Sequence, residues 1–408
     1  MSPVDLHLSP LVANYSHVVI KTHIARSGQP RFSAAMTTDP RLTPLAATLP
    51  AAVPFVGPEA QERARGTPFA ARLGANENGF GPSPKAVAAM AAAAGDAWQY
   101  PDPENHALRH AIANYHCIDP AHVMIDAGID TLLGVLTRLL IGPGDAVVTS
   151  AGAYPTFNYH VNGFGGTLHT VPYSQDHEDP ARLIAKAREV GAKLIYLSNP
   201  DNPMGTWHDA KTIKEMIAAV PDGCLLILDE AYIDLAPRGT APAIDPEDPR
   251  VIRMRTFSKA YGMAGARVGY ALGAAPLIDA FNKVRNHFGM SRIAQEGALA
   301  ALADQEYLSA IQTRTAACRA TLAELAFDHG FTPLPSATNF VTMDCGRDGA
   351  FATAVLDALI ARNIFIRMPG VAPLNRCIRI SCGPDAEIDA FAAALPAAIA
   401  AAEESCPG

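Results

Sequence analysis

The 408 residues contain no Cys-x-x-Cys spacing, and the seven cysteines, Cys117, Cys224, Cys318, Cys345, Cys377, Cys382 and Cys406, are scattered along the chain. That argues against a disulfide-stapled scaffold or a zinc ribbon and fits free thiols in a reducing cytoplasm. Long apolar runs are missing too. The longest nearly unbroken one, Phe391 to Ala402, is mostly alanine, is interrupted by Pro396 and is too short to cross a bilayer, so it reads as a packed terminal helix and not as a membrane segment. Positive charge is not in excess. The 32 Lys and Arg against 40 Asp and Glu leave a formal net charge of -8, the wrong sign for a chain whose partner is nucleic acid. Acids are scarce in the first 35 residues, where Asp5 stands against Lys21, Arg26 and Arg31 with His7, His17 and His23. No continuous apolar segment follows, which argues against a secretory signal. An organellar leader and an upstream extension ahead of a start at Met36 both fit, the second with weak order.

What is present is an ordinary globular composition, 49% hydrophobic and 18% charged, in a chain longer than one core usually supports, so two domains are expected. Short runs rich in large apolar or β-branched residues, "AVVTS" (Ala146 to Ser150), "LIYLS" (Leu194 to Ser198), "CLLILD" (Cys224 to Asp229) and "VIRMRTFS" (Val251 to Ser258), alternate with helical stretches. Runs apolar on both faces predict parallel strands covered by helices, hence an α/β doubly wound sheet. Further on, "TNFVTMD" and "IRISCG" flank an Ala/Leu-rich helical stretch and predict a smaller α+β unit, which an N-terminal helix joins.

In an open parallel sheet, ligands bind outside the carboxyl ends of the strands. Tyr154, Asn202, Asp229 and Lys259 each follow or close one of the four runs and would converge on one rim. A lysine there can form a Schiff base with a carbonyl compound once burial or a nearby cation such as Arg267 lowers its pKa. An aspartate at a strand end can hold a protonated ring nitrogen, a tyrosine ring can stack on a flat heterocycle, and the phenol of Tyr232 can reach a ring oxygen. Thr256, Ser258 and Arg267 would serve a phosphate, with the turn "AGID" (Ala127 to Asp130) adding a helix N-terminus. These parts describe a site for pyridoxal 5'-phosphate. Gly262 and Gly265 would let the backbone turn closely around it.

From Leu42 to Gly383 the chain resembles a fold-type I, pyridoxal-phosphate-dependent class I/II aminotransferase, and within that group it is most similar to histidinol-phosphate aminotransferases. The resemblance rests on "NENGFGPSP" (Asn76 to Pro84), "YPDPENHALRHAIA" (Tyr100 to Ala113), "NPDNPMG" (Asn199 to Gly205), "LDEAYIDL" (Leu228 to Leu235), "RTFSKAYGMAGARVGY" (Arg255 to Tyr270) and "IRISCG" (Ile378 to Gly383), in the family order. It implies a mostly parallel large domain with helices on both faces plus a smaller α+β domain. The boundaries expected are an extension over 1–40, an N-terminal arm and part of the small domain over 41–95, the large cofactor-binding domain over 96–315 and the small C-terminal domain over 316–408.

The resemblance further implies that Lys259 carries the cofactor and moves the proton, Asp229 pairs with the ring nitrogen and Tyr154 stacks on the ring. Asn202 and Tyr232 would take the ring oxygen. Gly128, Ile129, Asp130, Thr256, Ser258 and Arg267 would take the phosphate, which Tyr100 would reach from a neighbouring subunit of a homodimer. Arg379 would clamp a substrate carboxylate, with Asn339 and Asn76 beside it, and Arg367 and His287 would lie toward the substrate side chain. The substrates implied are an amino acid or amino alcohol phosphate as donor and a 2-oxo acid as acceptor.

Departures from the pattern fall at Gly79, at "GAY" (Gly152 to Tyr154), at "DAGIDT" and around His287 and Phe288. A lone lysine in an apolar segment usually snorkels, a strand-end aspartate can merely cap a turn and an arginine can be a structural ion pair; the motif context favours the functional reading of Lys259, Asp229 and Arg379. His106 and His110 have the spacing of helical ligands but no third partner, and no metal is assigned. A decarboxylase or other lyase of a phosphorylated amino acid shares nearly the same motifs. A cofactor-sensing regulator would need an upstream helix-turn-helix that the chain does not show.

Overall fold

The computed structural model describes residues 41–51 and 55–407. The expected extension over 1–40 lies outside them. The described residues up to Phe55 and those from Val56 onward fall into two separate units. In the first, a short helix, Pro44–Thr48, starts with Thr43 accepting from the Ala46 N–H.

The second unit is built around a sheet that has seven strands among the described residues. Their order is Val123–Asp126, Gly269–Leu272, Val251–Thr256, Leu225–Asp229, Leu194–Ser198, Ala146–Ser150 and Thr167–Val171. Gly269–Leu272 runs antiparallel to both neighbours and the other pairings are parallel. The period-2 alternation of each strand sends its residues into two separate cores. Leu194, Tyr196, Leu225 and Ile227 meet Leu132, Leu136 and Phe157 on one face. Ile195, Leu197, Leu226 and Leu228 meet Leu183, Ile184 and Ile213 on the other. Both faces being covered explains why the strands read as unbroken apolar runs.

The helices start where the sequence offers caps. Asp179 accepts from the Arg182 N–H ahead of Pro180–Val190, which ends on left-handed Gly191. Asp209 does the same for Ala210–Ala219 through the Thr212 N–H, and Ser291 for Arg292–Ala303. Ile129–Leu140 differs: it opens on Gly128 with no side-chain cap.

The C-terminal part has its own core. An antiparallel sheet of Cys377–Ser381, Phe340–Asp344 and Thr332–Pro333 packs with Gly349–Ala361 and Asp385–Ser405. The terminal helix buries Ile388, Phe391, Leu395, Ala398 and Ala402, a three-four spacing, and leaves Pro396 on its exposed side. The N-terminal stretch joins this part: Ala71–Arg72 pairs in parallel with Ile364–Phe365, and Ala71 and Leu73 enter its core.

Candidate functional site

The parallel strands deliver Ser150, Ser198, Asp229 and Thr256 to one rim of the sheet. Val251–Thr256 ends two residues before the expected Ser258 because the chain turns there: the Ser258 N–H donates to Thr256 Oγ1 at 3.0 Å and the Phe257 N–H to the Val268 carbonyl at 3.0 Å. That turn aims Lys259 across the rim, where its Nζ donates to the Asn76 carbonyl at 2.9 Å. Asn78 Nδ2 donates back to the Lys259 carbonyl at 3.1 Å. Burial pushes the amine down to about 8, with Arg379 the larger of the two cations that assist and Arg267 the smaller. The acidifying charge expected from Arg267 thus comes more from Arg379, whose position beside Lys259 only the fold brings about.

Asp229 is buried, and its carboxylate accepts from the Tyr196 hydroxyl at 2.7 Å and the Ala231 N–H at 2.9 Å. Burial raises it to about 6. Tyr196 was not singled out in the sequence. A tyrosine in a strand otherwise apolar on both faces was the available signal, because its hydroxyl must find a partner once buried. Tyr196 also stacks on Phe157, ring centroids 4.8 Å apart.

The phosphate candidates gather at the start of Ile129–Leu140. Thr256 Oγ1 lies 2.9 Å from Ser258 Oγ, Arg267 Nη1 donates to Ser258 Oγ at 3.4 Å, and Arg267 Nη2 is 3.8 Å from Asp130. Gly128 has a φ of 88°, and a Cβ on it would collide with the Arg267 guanidinium. Tyr154, at the N-terminus of Pro155–Gly163, donates to Asp130 at 3.0 Å. A Cβ on Gly262, φ 68°, would meet the backbone of Gly81, whereas one on Gly265 would have open space around it.

Asn76 links the two parts of the site. Its Nδ2 donates to the Tyr232 hydroxyl at 3.0 Å, its N–H to Ser381 Oγ at 3.0 Å, and its carbonyl receives both Lys259 and, at 3.1 Å, Asn339 Nδ2. Ser381, missed in the sequence, fixes this asparagine in its left-handed conformation, φ 55°. Arg379 donates through Nη1 to Asn202 and through Nη2 to the Gly74 carbonyl at 3.2 Å, over the ring of Phe340. Burial first, and Arg367 among the charges, lower it to about 10. Arg367 exchanges backbone hydrogen bonds with Arg379, 2.7 and 3.3 Å, and donates to the Val56 carbonyl at 2.7 Å.

Two expected residues lie elsewhere on this chain. Tyr100 is 79% exposed and rests against Phe288, ring centroids 5.0 Å apart. His287 lines a cavity with Pro103, Glu104, Asn105 and Arg109, and Lys259 is not among its lining residues. His106 and His110 stack on one helix face, and among the described residues no group of three metal-ligating side chains forms.

The residues present fit pyridoxal 5'-phosphate on three observations. Among the described residues the buried Asp229 carboxyl forms no ion pair, which leaves it matched to a protonated ring nitrogen. The helix start at Gly128 is uncapped and flanked by a guanidinium and two hydroxyls, the donor set of a phosphate site. Arg379 Nε and Asn339 Oδ1 are buried with no hydrogen-bond partner among the described residues, polar atoms left for a ligand.

The family model for aminotransferase class I and II matches residues 71–395. The chain is 33% identical to histidinol-phosphate aminotransferase 1 of Mesorhizobium japonicum over 80% of its own length and 89% of that protein's. It is 34% identical to histidinol-phosphate aminotransferase of Dinoroseobacter shibae, covering 79% and 90% respectively. Among solved structures, the histidinol-phosphate aminotransferase of Sinorhizobium meliloti in complex with pyridoxal-5'-phosphate superposes with a TM-score of 0.86 at 53% identity, covering 90% of this chain and 99% of that one.

Proposed function

Since this chain belongs to the class I and II aminotransferases and is a pyridoxal-phosphate-dependent aminotransferase, we propose that its amino donor is an amino alcohol phosphate of the histidinol phosphate kind and its acceptor a 2-oxo acid. The observation that carries the donor assignment is the bridge between Arg367 and Arg379, which sets two guanidinium-bearing residues side by side at the rim that Lys259 occupies. Two such cations suit a phosphate monoester in one half-reaction and a carboxylate in the other.

When bound, pyridoxal 5'-phosphate supplies an electrophilic aldehyde for the amino group and a conjugated ring that takes up the electron pair left at the substrate carbon. The protein's part follows from its own atoms. Lys259, its amine lowered to about 8, exchanges a proton with the carbon that carries the amino group under neutral conditions. Asp229, held by Tyr196 and Ala231, keeps a negative charge for the ring nitrogen. Ser258, Thr256, Arg267 and the N–H groups of Ile129 and Asp130 would anchor the phosphate. Asn202 and Tyr232 would hold the ring oxygen, and Tyr154 would lie beside the ring. Asn76 and Asn339 hold Lys259 and the substrate end in register.

We assign a homodimer in the cytoplasm. Trp98 and Tyr100, 81% and 79% exposed, with Phe288 form an aromatic patch suited to a second copy, whose cofactor Tyr100 would reach. In that reading His287 belongs to the subunit interface. The described cysteines are all free and no described helix is long and apolar enough to cross a membrane. Domain boundaries near residues 96 and 316 are part of this proposal; what supports them is a separate C-terminal core that takes in Ala71 and Leu73 and resumes at Leu322.

The test is a single half-reaction on the purified holoenzyme with histidinol phosphate, phenylalanine, tyrosine, aspartate and glutamate in parallel. Histidinol phosphate is expected to convert the cofactor absorbance to the pyridoxamine form with the highest kcat/KM and no carbon dioxide. Preference for aspartate by tenfold or more would overturn the donor assignment.

A further inference from the structure

Behind Asn202 two carboxyls, Glu178 and Asp201, are buried at 2% and 3% exposure and belong to none of the groups placed above. Asp201 stands in "NPDNPMG" where the motif it resembles has asparagine. Glu178 receives the Ser150 hydroxyl at 2.6 Å and the Ser198 N–H at 2.9 Å. Asp201 receives the Tyr173 hydroxyl at 2.8 Å and the Met204 N–H at 2.9 Å. Each carboxyl is among the side-chain partners that act on the other, and among the described residues neither forms an ion pair. Two carboxylates in contact inside a low-dielectric interior repel strongly, whereas one proton between them turns the contact into a charge-assisted hydrogen bond and leaves an acceptor for every donor that faces them.

We propose that Glu178 and Asp201 share one proton and act as a single positioning element, which fixes the loop 199–206 so that Asn202 meets Arg379 and the cofactor ring. The loop depends on Asp201 from both sides. Its N–H donates to the Thr206 carbonyl at 2.8 Å, its carbonyl accepts from Gly205 at 3.2 Å, and its carboxyl caps Met204. Asn202 is the next residue, and it accepts from Arg379. The role of Asn202 rests on the function proposed above.

Asp229 at about 6 and Lys259 at about 8 titrate in the same range, so the pair is read from the difference between wild type and variant. Tyr173 and Tyr196 are pushed above the usual phenol range by burial and stay neutral. His208, whose Nε2 pairs with the Glu178 carbonyl at 2.8 Å and whose ring faces His177, is lowered by burial. Arg379, whose charge acts on Asp201, stays charged at about 10. Burial raises Glu178 well above the carboxylate range and Asp201 to about 7. The folded chain therefore binds more protons than the unfolded one between the ordinary aspartate value of 3.8 and about 7. Stability is full below that window and falls as pH rises through it.

The test compares the full-length holoenzyme with Asp201→Asn, whose amide donates to Glu178 without titrating, by melting temperature and by pyridoxal phosphate affinity from about pH 5.5 to about pH 8.5. The wild-type melting temperature is expected to fall with rising pH and its affinity to weaken roughly five- to tenfold, the scale of one hydrogen bond to a fixed donor. The variant is expected to lessen the pH slope of both curves, leaving the part that Asp229 and Lys259 contribute. Parallel curves would overturn the proposal. Glu178→Gln makes the same exchange from the other partner and replaces Asp201→Asn should that chain not fold. Asn202→Ala separates the two readings: it is expected to weaken cofactor binding without changing the pH slope of melting. Unchanged binding in that variant refutes the role of Asn202, and the proton sharing then stands or falls on the melting curves.

Discussion

Asp229 shows what a single residue needs before it can serve a ring nitrogen. Burial alone would neutralise it; the Tyr196 hydroxyl and the Ala231 N–H counter this and leave it at about 6. Tyr196→Phe removes one of those donors and keeps the ring on Phe157. The carboxyl then titrates higher, so its charge is lost first on the acid side. A loss in kcat/KM of about tenfold is expected near pH 6.5, shrinking by about pH 8.5 where the carboxyl is again ionised, because one buried hydrogen bond is worth about 1 to 1.5 kcal/mol. Equal losses at both pH values would show that Tyr196 acts by packing alone. At this scale the sequence announced Lys259, Asp229 and Arg379 through their neighbours. It was silent on Tyr196 and Ser381, whose partners lie 33 residues from Tyr196 and 305 from Ser381, because a hydroxyl's partner is chosen by the fold and not by spacing.

At the scale of elements, the helix Ile129–Leu140 carries the argument. Its apolar face, Leu132, Leu133 and Leu136, fixes it against the sheet, so its uncapped start must point at the rim. Gly128 allows this because its left-handed φ costs a side-chain residue about 1–2 kcal/mol and because a Cβ would meet Arg267. Gly128→Ala is expected to weaken pyridoxal phosphate binding by at least tenfold, read by titration of the cofactor absorbance, with an unchanged circular dichroism spectrum; intact affinity would remove this helix start from the phosphate site. Strand positions were legible from residue patterns alone. Ala146–Ser150 and Leu194–Ser198 match their apolar runs residue for residue, whereas Val251–Thr256 stops short of Ser258. That difference is physical: Thr256 offers its hydroxyl to the Ser258 N–H, a local hydrogen bond that competes with the sheet.

For the molecule as a whole, the question is what completes the site. Tyr100 is exposed on this chain, so its proposed contact needs a second copy. Light scattering is expected to give the mass of two chains, and Trp98→Glu combined with Tyr100→Glu is expected to shift the protein toward monomer and cut turnover more than tenfold. A fully active monomer would refute the shared site.

By itself the sequence determined the sheet strands and the cofactor and pointed to Lys259 as the proposed reacting lysine, because strand burial, Schiff-base chemistry and phosphate binding each demand particular residue types at short spacing. The tertiary structure alone decided which cation acidifies Lys259, which hydroxyl steadies Asp229 and which two acids lie in contact. Those are distances between residues far apart in the chain, and electrostatic effects depend on distance and burial, neither of which is written in the order of amino acids.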